Sequence, residues 1–246
     1  MSGESNNTGS RVVMYCRARI TKDEPLRYIS HLDYVSLMQR AIRRAKIPAA
    51  YSEGFNPHMK LSFASALSVG VTSDAEYMDL ELSKPMDADE LIERLRPALP
   101  EGVRLLSLRV LEGKPKALMS LVDEAAYEIT VPLCGDLSSA QEAIGAFNAL
   151  QECMVLRKTP KKTREIDICQ YLRGEVRADA AAGDVLRLML AVRITPAGSV
   201  KPQEILAALC EKFAFPVDAA AALVHRSALL CGGVELLAAD AGGARP

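Results

Sequence analysis

The feature that most constrains the fold of this chain is an order of elements, β-α-β-β-α-β, read from hydrophobic period. Residues 11–21 (RVVMYCRARIT) alternate and are rich in β-formers, as a strand does. Ser30 then opens a helix. With Asp33 it makes an S-x-x-D cap. Leu32, Val35, Met38 and Ile42 recur at helical spacing, and Pro48 stops the helix. Residues 59–64 and 76–82 alternate again. Asp87 caps a second helix, DADELIERLRPAL, whose early acids complement the helix dipole. Residues 103–111 supply a fourth strand. That order is the split βαβ of a ferredoxin-like sandwich, with two helices on one face of a four-stranded antiparallel sheet.

The second half repeats the order. Residues 124–133 read as a strand and 137–150 as a helix capped by Ser138 or Ser139. Residues 153–158 and 185–194 read as strands, with a short helical turn and a further strand between Asp167 and Asp179. Pro202 opens a helix with Ile205, Leu206 and Leu209 apolar, and 226–237 end in a strand. The predicted fold class is therefore α+β, two tandem ferredoxin-like (βαββαβ) sandwiches. The predicted divisions are a disordered leader 1–10, an N-terminal domain 11–112, a linker 113–123, a C-terminal domain 124–238 and a disordered tail 239–246. The 246 residues suffice for two cores. No residue-level repeat accompanies this repeated order.

Several function classes are excluded or disfavoured. There is no apolar run long enough for a membrane span and no apolar h-region near the N-terminus. Cys16, Cys134, Cys153, Cys169, Cys210 and Cys231 show no CxxC or CxxxC spacing, so neither a zinc site nor an iron–sulfur cluster is expected. P-loop, dinucleotide, zincin, nucleophile-elbow and kinase signatures are absent. The expectation is a cytoplasmic protein with reduced thiols, no metal and no cofactor.

Charge is unevenly distributed although the net charge is only −1. From Leu26 to Lys60 six Lys/Arg face two acids. Arg157 to Arg164 holds five basic residues and no acid, in what reads as an exposed loop. Asp74 to Glu101 holds nine acids and three bases. A basic face and an acidic face are expected. Arg40, Arg43, Arg44 and Lys60, with Arg157, Lys158, Lys161, Lys162 and Arg164, could form a phosphate-contacting strip, which makes RNA a candidate ligand.

The segment from Arg27 to Gly70 carries two of the three histidines. His31 lies in the first helical turn, where the dipole favours a neutral imidazole. In Ser52-Glu53-Gly54-Phe55-Asn56-Pro57-His58, Gly54 permits positive φ and Pro57 holds Asn56 extended. The loop aims Asn56, His58 and Lys60 as binding groups, with Phe55 read as a core plug rather than a stacking ring. His31 and His58 are candidate acid and base if the fold brings them together.

The stretches YISHLD, GFNPHMKLSFA, REIDICQYL, GSVKPQEIL and VHRSALL resemble the radical-SAM-linked domain, a bacterial family of unknown function. The resemblance covers roughly Val12 to Leu237. Members occur as a C-terminal extension of radical SAM proteins or as a separate protein encoded beside one. The resemblance implies a radical SAM protein as partner and no established activity. The chain has no CxxxCxxC of its own to hold such an enzyme's cluster. The expected role is an accessory protein that binds the partner on one surface and an anionic substrate, RNA among them, on the basic one. The alternative is an RNA-processing or RNA-modifying enzyme using His31 and His58.

Overall fold

The computed structural model describes residues 12–159, 162–181 and 183–239. The expected leader 1–10, Lys161 and the tail past 239 lie outside the described residues. The architecture is α+β, and the chain divides into two compact units, Met1–Val122 with Val234–Pro246, and Asp123–Gly233.

The first unit contains β1 (Met14–Lys22), α1 (His31–Arg44), β2 (Leu61–Phe63), β3 (Val71–Leu82), α2 (Ala88–Leu95), β4 (Leu105–Leu111) and the short α3 (Leu118–Leu121). Its strands lie in the order β4-β1-β3-β2, each pair antiparallel. The alternation of β1 explains its two faces. Cys16, Ala18 and Ile20 pack in one core with Tyr34, Met38 and Ile42 of α1 and Leu91 and Leu95 of α2. Burying each large apolar side chain contributes about 1.5–3 kcal/mol.

The alternate positions of β1 carry arginines. Arg17 is 0% exposed and sits in register with Asp79 of β3. Its Nε and Nη2 donate to the two carboxylate oxygens of Asp79 at 2.7 and 2.9 Å. Its Nη1 donates to the Leu236 carbonyl at 3.4 Å. Arg19 donates to the Asp74 carbonyl at 2.8 Å and to Glu235 at 2.6 Å. Arg109 of β4 donates to the Leu237 carbonyl at 3.0 Å. The C-terminal segment from Val234 thus belongs to this unit, held by arginines and by the buried side chain of Leu236.

Ser30 caps α1 as its S-x-x-D spacing implies. Its Oγ accepts the Asp33 N–H at 3.2 Å and its hydroxyl donates to the Asp33 carboxylate at 2.6 Å. The buried stripe, however, is Tyr34, Met38, Ala41 and Ile42, and Leu32 is 75% exposed. Leu32 precedes Tyr34 by two residues, about 200° around the helix, and so faces away from the sheet. The helix also stops before Pro48. Ala45 caps it, Lys46 turns left-handed at φ 53°, and the Ile47 N–H donates to the Ile42 carbonyl at 3.3 Å.

The second unit contains β5 (Glu124–Pro132), α4 (Leu137–Asn148), β6 (Met154–Thr159), β7 (Lys162–Asp167), β8 (Arg177–Ala181), β9 (Val185–Arg193), α5 (Pro202–Phe213) and β10 (Leu223–Cys231). Its sheet runs β10-β5-β9-β8, again antiparallel. Ile129, Leu188 and Leu209 are fully buried, and Phe147 of α4 meets Phe213 of α5 edge-to-face at 5.9 Å. Asp136, rather than Ser138 or Ser139, caps α4. Its carboxylate accepts the Ser139 N–H at 2.8 Å and both serine hydroxyls. Those bonds hold its pKa down at about 2.

Two strand expectations differ from the structure. Residues 153–158 do not join the sheet; β6 pairs with β7 as a separate hairpin, and β8 takes the edge position beside β9. The expected final strand ends at Cys231, and 234–237 return to the first unit. Residues 113–123, read as a linker with some apolar packing, contain α3, with Leu118 and Val122 buried.

Asp79→Ala is expected to destabilise the protein by about 3–5 kcal/mol, because it removes the carboxylate that accepts two hydrogen bonds from the buried Arg17 guanidinium. Leu32→Ser should change stability by no more than about 0.5 kcal/mol. Urea unfolding of both variants checks the pair; equal midpoints would refute the assignment of Arg17–Asp79 as an internal ion pair.

Candidate anion-binding face

The C-terminal end of α1 carries Arg40, Arg43 and Arg44, all exposed, because the buried stripe at 34, 38, 41 and 42 leaves those positions facing outward. Arg43 Nε lies 3.5 Å from the Tyr51 hydroxyl. Arg44 donates to the Ala98 carbonyl just past α2. Between these helix ends is an open cleft of about 460 Å³ lined by Arg44, Ala45, Lys46, Arg94, Pro97 and Ala98. Arg94 is ion-paired with Glu90 one helical turn back. Lys60 lies 3.7 Å from Glu81, a half-exposed pair of small energetic weight.

Tyr51 bridges Met59 and so closes the 52–58 loop at its base. The loop is pinned by Ser52, whose N–H donates to the His58 carbonyl at 2.8 Å and whose Oγ accepts the His58 N–H at 2.9 Å. Gly54 has φ +117°, a conformation that L side chains rarely adopt. Asn56 and His58 are exposed. Phe55 is not the core plug expected of it; it is 107% exposed. The side chain nearest to it in sequence that enters the core is Met59, which comes after the chain has turned back into the Tyr51 bridge.

The two histidines sit on separate segments of the first unit. His31 packs edge-to-face on Phe63 at 5.5 Å, at the start of α1. His58 belongs to the loop tied through Tyr51 to Arg43, twelve residues further along the helix. At about 1.5 Å rise per residue that is about 18 Å of helix axis. Acid–base work on one substrate needs both within hydrogen-bond or one-water reach.

The basic run of the second unit is not a free loop. Arg157 on β6 forks onto Glu204 of α5, Nε at 2.6 Å and Nη2 at 2.5 Å, and its Nη2 also reaches the Ser199 carbonyl at 2.8 Å. Arg164, directly across the ladder on β7, is exposed. Opposed like charges disfavour a strand pair; here Glu204 neutralises one of them. Lys161 and the side chains of Lys158 and Lys162 lie outside the described residues.

The expected acidic face is also reduced. Within Asp74–Glu101, Glu76 and Asp79 are buried, Asp74 and Glu81 pair with Arg104 and Lys60, and Asp87 caps α2. Among the cysteines, burial, with Asp79 adding to it, pushes the Cys16 thiol up to about 12. Cys153, Cys169 and Cys210 are also raised, chiefly by burial, which favours their protonated thiols. Among the described residues no cluster of three His, Cys, Asp or Glu could hold a metal ion, and no helix is long and apolar enough to cross a membrane.

Residues 16–202 match the family described as "uncharacterized protein conserved in bacteria (DUF2344)". The chain belongs to this family. The matched span runs from β1 to the first residue of α5, and so includes α1, the 52–58 loop and the cleft. No curated protein matches the chain. Among solved structures it is similar to a chain of "Crystal Structure of a Cbf5-Nop10-Gar1 Complex", at 9% identity and a TM-score of 0.47, over 87% of this chain and 48% of that one. The chain spans about half the length of that relative, and the likeness is too distant to bear on function.

Burial pushes the Glu204 carboxyl up, but the Arg157 hydrogen bonds, the Lys201 N–H and both positive charges outweigh it and hold its pKa below the usual 4.5. A depressed pKa contributes stability above the unfolded value, and that stability is lost as pH falls through the folded one. Arg157→Ala leaves burial dominant, so the share of acid destabilisation that Glu204 contributes should shrink or vanish: the variant is less stable near neutral pH and loses less on acidification. Melting temperature against pH, for wild type and variant, measures the change; superimposable acid limbs would show that the pair has no such linkage.

Proposed function

We propose that this protein is a non-catalytic accessory protein that holds an anionic chain, RNA, on the arginine end of α1 and docks a radical SAM protein elsewhere on the first unit. Both units are read as ferredoxin-like, an assignment supported by the sheet orders β4-β1-β3-β2 and β10-β5-β9-β8.

The observation that carries the RNA reading is Phe55. A fully exposed phenyl ring stands on a pinned loop whose base, Tyr51, meets Arg43 at the helix end that also carries exposed Arg40 and Arg44. Single-strand binders combine cationic tracks for phosphates with aromatic rings for base stacking. The enzyme alternative would need His31, packed on Phe63, and His58, on the 52–58 loop, to reach one substrate. Partner docking is supported at the other end of α1. Tyr28 and Leu32 are each 75% exposed there. Val69 is exposed beside them, because Arg27 and Gly70 exchange two hydrogen bonds. A radical SAM partner is the occupant that the sequence resemblance implies.

The two halves of the RNA site should separate in a salt titration. Replacing Arg40, Arg43 and Arg44 by Ala should lower the slope of log affinity against log salt by about 2 for a single strand, at about 0.7 per phosphate contact. Phe55→Ala should weaken binding by about 1–3 kcal/mol and leave the slope unchanged. Fluorescence anisotropy with a labelled single-stranded RNA reads both. Absence of wild-type binding at about 50 mM salt, a regime in which phosphate contacts are strong, would sink the RNA reading.

A further inference from the structure

Lys46 occupies the position after a helix cap where glycine is usual, because the left-handed conformation crowds any Cβ. Its φ is 53°, one of two positive values among described non-glycine residues. The turn is fully formed around it. The Lys46 N–H donates to the Arg43 carbonyl at 3.0 Å and the Ile47 N–H to the Ile42 carbonyl at 3.3 Å. Nothing in that backbone pattern needs a lysine, and a glycine would make it with less strain.

Lys46, which is exposed, lines the cleft between the ends of α1 and α2, with Arg44 and Arg94. No carboxylate pairs with Lys46 or Arg44 among the described residues, and Glu90 offsets Arg94. Two helix C-termini point their carbonyls this way, which disfavours an anion. Much of that carbonyl charge is already engaged: Ala45, Lys46 and Ile47 N–H groups close α1, and Arg44 takes the Ala98 carbonyl.

We propose that the cleft is a phosphate seat and that Lys46 is kept in a strained backbone conformation because its ammonium binds the phosphate. The seat deepens the RNA reading above and rests on it for the source of the phosphate; a free phosphate would present the same chemistry. Strain at a backbone position, offset by the rest of the fold, is a recurring property of binding sites. The competing account is that Lys46 only complements the α1 dipole. The two accounts differ in the sign of a stability change.

The test uses the full chain with Lys46→Gly and Lys46→Gln, thermal melts without ligand, and titrations with a single-stranded oligoribonucleotide and with inorganic phosphate. Lys46→Gly is expected to raise the melting temperature and weaken RNA binding several-fold, with the salt slope reduced by about 0.7. Lys46→Gln, which keeps the strain, is expected to lose the same binding without the gain in melting temperature. Inorganic phosphate should compete with RNA in wild type more than in either variant. Unchanged RNA binding in Lys46→Gly would overturn the seat while leaving the anion-binding face intact, and a lower melting temperature with unchanged binding would assign Lys46 to the dipole. If wild type ignores RNA but inorganic phosphate raises its melting temperature and not that of Lys46→Gly, the seat stands for free phosphate and the RNA reading fails. No response of wild type to either ligand overturns the seat.

Discussion

The Arg17–Asp79 pair is the constraint on which the first unit depends. A guanidinium with no solvent exposure must have its donors satisfied, and Asp79 and the Leu236 carbonyl accept from all three of its nitrogens. That requirement fixes the register of β1 against β3, since a one-residue slip would turn Arg17 into the helix-facing core and Cys16 out of it. It also requires the chain to return. Without the segment from Val234, the arginine face of the sheet would lose the carbonyls of Leu236 and Leu237 and the carboxylate of Glu235. A central strand with apolar residues on one side and satisfied arginines on the other is therefore covered on both.

Much of this was legible in sequence, and the failures have physical causes. Period and capping locate β1, α1, β3, α2 and β4, although β3 is buried at nearly every position and its alternation is one of residue type rather than of burial. The helix face was misjudged at Leu32, since apolar residues at helical spacing define a broad arc and only packing decides which edge of it is buried. The β6–β7 hairpin could not be told from a sheet strand, because alternation in CMVLRK is the same whichever partner it takes. Asp136 rather than a serine caps α4 because its two carboxylate oxygens can serve an N–H and two hydroxyls at once. The return of 234–237 to the first unit is a long-range pairing with no local signal.

For the site, the arginines of α1 were legible as the complement of its buried stripe. Phe55 was not, because hydrophobicity alone argues for burial and the turn that expels the ring is set by the Tyr51–Met59 bridge. Lys46 did have a signal. In Ala45-Lys46-Ile47-Pro48 the proline bars helix continuation, so the chain must reverse just before it, and a left-handed residue after the cap is the usual means.

The charges of this unit fall into two sets, and the division says which parts can change. Arg17, Arg19 and Arg109 are each bound by carboxylates or carbonyls of their own unit, so their positive charge is internal and their loss would be felt as instability. Arg40, Arg43, Arg44 and Lys46 have no carboxylate partner among the described residues, and they stand at one end of the fold rather than scattered over it. Helix dipoles explain a basic last turn worth about 0.3–1 kcal/mol per charge. They do not explain Arg40, which lies a full turn before the end, nor a cation at a position that favours glycine. Four like charges at one helix end repel one another, a cost that the rest of the unit must offset. The fold tolerates that repulsion because the same helix buries Tyr34, Met38 and Ile42 on its other face. The scaffold is thus stabilised by one side of α1, and substitutions among the exposed cations of the other side need not unfold the unit.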